Sequence, residues 1–171
     1  ELLTPSNGIM TLARERTVSE TTPTLLGLAM EAEMTTNPAD EPGFRLPDSV
    51  RPVRYEATLR IDVEGRRFAG ELELALRLGS PTAELVLHAA DLSIQRAAVR
   101  SPGGEIAVIS VTPRPASETV VLALAAPVGP GEATVTLAWT GRFCEGLRGL
   151  YPAGGGTAAT QFEAADARRV F

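Results

Sequence analysis

From Arg45 onward apolar and polar residues alternate one for one, and that period of two excludes a helical fold for most of the chain. Tyr55, Ala57, Leu59 and Ile61 alternate with Arg54, Glu56, Thr58 and Arg60. Successive side chains of an extended strand point to opposite faces, so this segment has one dry face and one wet face. After a turn at Glu64-Gly65 the pattern repeats over residues 68–78, with Leu72, Leu74, Leu76 and Leu78 set against Glu71, Glu73 and Arg77. The two segments predict a hairpin.

Further short strands are predicted over residues 84–88, 92–100, 106–111, 119–125 and 133–140, parted by turns such as Ser101-Pro102-Gly103-Gly104 and Val128-Gly129-Pro130-Gly131-Glu132. At least seven short strands with no long helix predict an all-β fold, an antiparallel β-sandwich or a pair of saddle-shaped curved sheets. The 16 Gly and 13 Pro suit tight turns between such strands, and 171 residues are enough to bury a sizeable core.

Residues 1–44 differ in kind. They are rich in Thr, Ser, Pro, Glu and Asn, have no sustained period, and end in Asn37-Pro38-Ala39-Asp40-Glu41-Pro42-Gly43. They read as a flexible leader, with a few residues supporting a short helix over 24–33. The chain opens on Glu1, and Met34 is a native start in this reading, which makes residues 1–33 an upstream extension or added sequence. The fold reading therefore rests on residues 45–171.

A net charge of −5 gives no basis for nucleic-acid binding. All sixteen basic residues are scattered arginines, which reads as codon bias in a GC-rich, bacterial genome. A single cysteine, Cys144, excludes an internal disulfide framework and fits a reducing cytoplasm. No run reaches the roughly 18–20 apolar residues of a membrane helix, so no membrane partner is expected. The run Leu25-Leu26-Gly27-Leu28-Ala29-Met30 lacks a positive flank, is followed by Glu31 and Glu33, and makes a poor signal peptide.

Several pieces, taken in order, resemble a known family. Arg45-Leu46-Pro47 with Val50-Arg51-Pro52-Val53-Arg54-Tyr55 resembles the first strand of the N-terminal β domain of the aminopeptidase N-like zinc metallopeptidases. Phe68-Ala69-Gly70 and the Leu/Glu alternation after it are similar to its second strand. Leu85-Val86-Leu87-His88-Ala89-Ala90-Asp91-Leu92 resembles its strand with a Leu-His pair. Gly149-Leu150-Tyr151, then Ala159-Thr160-Gln161-Phe162-Glu163, resembles its final hairpin, and Asp166-Ala167-Arg168 completes the most specific match. The likeness covers nearly all of residues 45–171.

The resemblance implies a β domain that packs on a thermolysin-like catalytic domain, where zinc held by H-E-x-x-H and a distant Glu activates water. Neither that motif nor the exopeptidase motif G-A-M-E-N is in the chain, whose only histidine is His88. A catalytic zinc normally needs three protein ligands. The chain alone is thus expected to hold no catalytic residue, no metal ligand and no cofactor. Zinc is implied for a full-length enzyme that removes amino-terminal residues from peptides, whose catalytic domain would start where residues 45–171 end.

The resemblance further implies that Gln161 and Glu163 bind substrate. Gln161 would offer its amide at the first side-chain pocket, and Glu163 its carboxylate to the ammonium. On one extended strand residues two apart share a face, about 6.6–6.8 Å apart. The expected partners are a peptide amino terminus and the missing catalytic domain of the same protein. A fragment that bares this interface is expected to self-associate weakly.

The other polar features have structural readings. His88 shares a strand face with Val86 and Ala90, and Cys144 has no paired base in its motif. Gly154-Gly155-Gly156 reads as a hairpin tip, since no Lys follows to make a phosphate cradle. Asp166, Arg168 and Arg169 are expected to make a local ion pair and an interdomain contact. A reading from another class also stands: a non-catalytic β-sandwich used for binding or scaffolding.

Overall fold

Alternation along the sequence becomes a two-faced ladder in the computed structural model, which describes residues 2–3, 9–15 and 45–171. β3 (Val50–Asp62) and β4 (Arg67–Leu78) form the expected hairpin, and β10 (Gly131–Arg142) runs along the other edge of β4. Phe68, Leu72, Leu74, Leu76 and Leu78 are all buried, while Arg67, Glu71, Glu73 and Arg77 face water. The same rule holds on β10, where Ala133, Val135, Leu137 and Trp139 are buried.

With β6 (Ser93–Ser101), β7 (Gly104–Ile106) and β2 (Ile9–Glu15) these strands make a six-stranded antiparallel sheet in the order β2-β3-β4-β10-β6-β7. A second sheet, β5-β9-β8, is built from β5 (Thr82–His88), β8 (Val108–Arg114) and β9 (Thr119–Val128). It contributes Leu85, Val120, Leu122 and Leu124 to the core that the larger sheet shares. A third sheet, β1-β12-β11, contains β1 (Leu2–Leu3), β11 (Gly149–Gly154) and β12 (Thr157–Gln161). The fold is all-β, as the alternation predicts.

Large and small residues are matched across β4 and β10. Trp139 lies opposite Gly70 and Phe68 opposite Gly141. A Cβ on Gly70 would fall 2.2 Å from Trp139 Cζ2, and one on Gly141 would fall 2.3 Å from Phe68 Cζ. Each aromatic ring therefore occupies the space that a side chain on the facing strand would need.

Two segments inside the stretch read as a leader pair with the body: β2 runs antiparallel to β3, and β1 to β12. The helix expected over 24–33 lies outside the described residues. Another difference concerns residues 106–111, expected as one strand. Here Ile106 closes β7 in the large sheet, Val108 opens β8 in the small one, and Ala107 accepts the Ala125 N–H at 2.8 Å between them. The chain changes layers at Ala107. The ladder then shifts register between Val108 and Ser110, leaving Ile109 67% exposed.

The β3–β4 turn carries a pH-dependent contribution. Asp62 Oδ1 accepts the Gly65 N–H at 2.9 Å, and its Oδ2 accepts Arg67 Nε at 2.8 Å. The Gly65 hydrogen bond first, then Arg67, holds the carboxyl below its ordinary value of 3.8. A depressed folded-state pKa gives stability that is complete above 3.8 and is lost as pH falls through the lower folded value. Asp62→Asn should lack that acid-side loss, which thermal unfolding of both proteins between neutral pH and strong acid would check.

Candidate functional site

The resemblance places the site on the β11–β12 hairpin and the segment that leaves it. Gly155 and Gly156 form its tip with φ of 57° and 74°, the left-handed pair that a tight two-residue hairpin turn needs. Leu150 and Ala158, both fully buried, fix the hairpin to the core. At its open end Gln161 pairs with Gly149 and closes β12. The Gln161 side chain is exposed.

Glu163 is also exposed, but it does not continue the strand. Between Gln161 and Glu163, Phe162 packs on the core, where its ring meets Phe171 edge-on with centroids 5.4 Å apart. Its carbonyl accepts the Asp166 N–H at 3.0 Å, closing a turn over residues 163–165 that carries Glu163. The expected strand thus reaches Gln161 and stops short of Glu163, which lies in that turn. Neither the Gln161 nor the Glu163 side chain makes a hydrogen bond or ion pair among the described residues.

Downstream, the short 3-10 turn Asp166–Arg169 is stitched to the sandwich. Arg169 uses all three guanidinium nitrogens: Nε to Asp166 Oδ1 at 2.9 Å, Nη1 to Asp91 Oδ2 at 2.8 Å, and Nη2 to Glu118 Oε1. Arg168 Nη1 reaches Glu118 Oε2 at 3.4 Å, and its Nε donates to the Ala165 carbonyl at 3.0 Å. Burial works against the Arg169 cation, yet Asp166, Glu118 and Asp91 outweigh it and raise its already high pKa further. Two more bonds fix the tail: the Ala90 N–H donates to the Arg168 carbonyl at 2.8 Å, and Trp139 Nε1 to the Val170 carbonyl at 2.8 Å.

The sequence foretold the Asp166–Arg169 pair, which is local. It missed Asp91 and Glu118, which lie 78 and 51 residues from Arg169. Nothing in their own neighbourhoods marks them. Two concavities of about 210 and 430 Å³ lie elsewhere, one beside Asp91 and Glu118 and one beside Cys144 and Leu147, and neither is lined by Gln161 or Glu163. The expected recognition pair lies on open surface.

Comparison with known families gives a match to the Peptidase M1 N-terminal domain over residues 51–171. The chain belongs to this family. Among its M1 relatives is aminopeptidase M1-D of Oryza sativa subsp. japonica, 39% identical over 134 residues, which are 74% of this chain and 15% of the relative. Human endoplasmic reticulum aminopeptidase 1 is 30% identical over 140 residues, 75% of this chain and 15% of that protein. Aminopeptidase N of Acetobacter pasteurianus is 30% identical over 135 residues, 74% of this chain and 37% of the relative. The M1 domain thus spans about 15% of the length of the rice relative.

Among the described residues no three His, Cys, Asp or Glu side chains gather to hold a metal ion. His88 is half-buried on β5 opposite Thr119. The residues of this M1 domain therefore do not fit a zinc centre. No helix among them is long and apolar enough to cross a membrane.

Proposed function

We propose that this M1 N-terminal domain receives the amino terminus of a peptide for a zinc-dependent aminopeptidase whose catalytic domain lies on further polypeptide. Gln161 would border the first side-chain pocket and Glu163 would pair with the substrate ammonium. The observation that carries the reading is the state of Glu163: its carboxylate is exposed and without an internal partner among the described residues, whereas Asp166, three residues on, is engaged by Arg169. An exposed carboxylate without an internal partner, beside a hairpin anchored by Leu150 and Ala158, supports a role in taking a cation from outside.

Two unit charges about 4 Å apart attract by about 4 kcal/mol at an effective dielectric near 20. Such a term, realised only once a neighbouring domain excludes water, separates a free amino terminus from a blocked one. Zinc would be supplied entirely by that neighbour. The second partner in this reading is the neighbour itself, and a bared docking face should make the isolated chain self-associate weakly, which light scattering against concentration would check. The lone cysteine and the all-arginine basic set support a cytoplasmic, bacterial parent protein.

The test uses the full-length protein on paired aminoacyl amides, one with a free amine and one acetylated. Hydrolysis confined to the free amine is expected. Equal hydrolysis of the acetylated partner would overturn the ammonium anchor, and no hydrolysis of either would favour the non-catalytic binding module.

A further inference from the structure

We propose that Glu118 is a positioning residue for Glu163: it holds the segment after β12 so that the recognition carboxylate is presented at a fixed place. This rests on the reading of Glu163 as the ammonium anchor. The turn carrying Glu163 has two supports. Upstream is β12, fixed by its pairing with β11 and by buried Ala158. Downstream is the Asp166–Arg169 turn, whose side chains are tied to the body through Glu118, which meets both arginines, and through Asp91, which meets Arg169.

Glu118 meets both arginines, one through each carboxylate oxygen. The Arg168 and Arg169 side chains are only 10% and 11% exposed, so neither can find water in place of that carboxylate without moving. Glu118 is itself held in place. Its N–H donates to the Pro115 carbonyl at 3.1 Å, its carbonyl accepts the Ala89 N–H at 2.8 Å, and its φ of 50° is left-handed. Arg168 in turn reaches back to the Ala165 carbonyl, in the turn that holds Glu163. The chain of contact is Glu118, Arg168, Ala165, with Glu163 two residues away.

Removing Glu118 leaves the main-chain link from Ala90 to Arg168 and the indole link to Val170 intact. The tail end stays docked, also through Arg169 and Asp91, while the Arg168 guanidinium that holds the Ala165 carbonyl loses its Glu118 contact. The effect is therefore on placement of Glu163 more than on folding.

A double-mutant cycle in the full-length protein separates placement from general damage. Glu118→Ala should raise KM for free-amine substrates about tenfold with kcat within about twofold, the scale of a modest misplacement of a binding group. In a Glu163→Gln background the same change should add almost nothing. Glu118→Gln, which keeps the side-chain volume and one acceptor oxygen, should give a smaller rise and serves if the alanine variant folds poorly. Hydrogen exchange on the 171-residue chain gives a second readout: the Asp166 amide should exchange faster in Glu118→Ala while amides of β4 and β10 are unchanged.

A Glu163→Gln effect on KM with none from Glu118→Ala would overturn the positioning role and leave the anchor standing. So would additive effects, or unchanged exchange at Asp166. If Glu163→Gln itself leaves KM unchanged, the anchor reading falls and the positioning role falls with it.

Discussion

Trp139→Ala should lower the unfolding free energy by about 3–5 kcal/mol, the range for deleting a buried large aromatic. Trp139 is 2% exposed and its ring fills the space over Gly70 on the neighbouring strand. Small residues around the ring leave little that could collapse into the gap, since Gly70 has no side chain to move. The indole also donates to the Val170 carbonyl, and Val170 is fully buried. Trp139→Phe separates the two contributions: it keeps most of the packing and strands that carbonyl, at a cost of about 1–3 kcal/mol. Urea unfolding of the isolated chain gives both values. A loss under about 1 kcal/mol for Trp139→Ala would contradict the packing described for β4 and β10.

Glu163→Gln in the full-length protein should cost about 2–3 kcal/mol of transition-state binding, roughly 30- to 150-fold in kcat/KM, on free-amine substrates. The lower part of the range for a desolvated pair applies because Glu163 is exposed in this chain and depends on the neighbouring domain for its dryness. Folding stability should change by less than about 0.5 kcal/mol, because the side chain has no partner among the described residues to lose. Steady-state kinetics beside an unfolding curve distinguishes the two. A drop in activity matched by a drop in stability would assign Glu163 to structure instead of recognition.

Much of this architecture was legible because burial is written in a period of two. β4 could be read directly, since Leu72, Leu74, Leu76 and Leu78 form an unbroken alternation against charged residues. Residues 106–111 could not, because Ile106, Val108 and Val111 are the partly buried positions and the spacing changes at a layer crossing. A local alternation rule has no term for a strand that leaves one sheet for another. The strand expected to run through Glu163 also ends early, at Gln161. Spacing by two implies a shared face only while the backbone stays extended, and here Glu163 lies in the turn closed by the Asp166 N–H and the Phe162 carbonyl. The Asp166–Arg169 contact was readable at three residues' separation, whereas Glu118 joins it only through the tertiary fold.

The link from Trp139 to Val170 has one more consequence. The chain's single indole donates to the Val170 carbonyl, so its emission is an intrinsic optical gauge of whether the segment after β12 is seated. Any pull exerted there by a neighbour would reach the chromophore without passing through the rest of the sandwich.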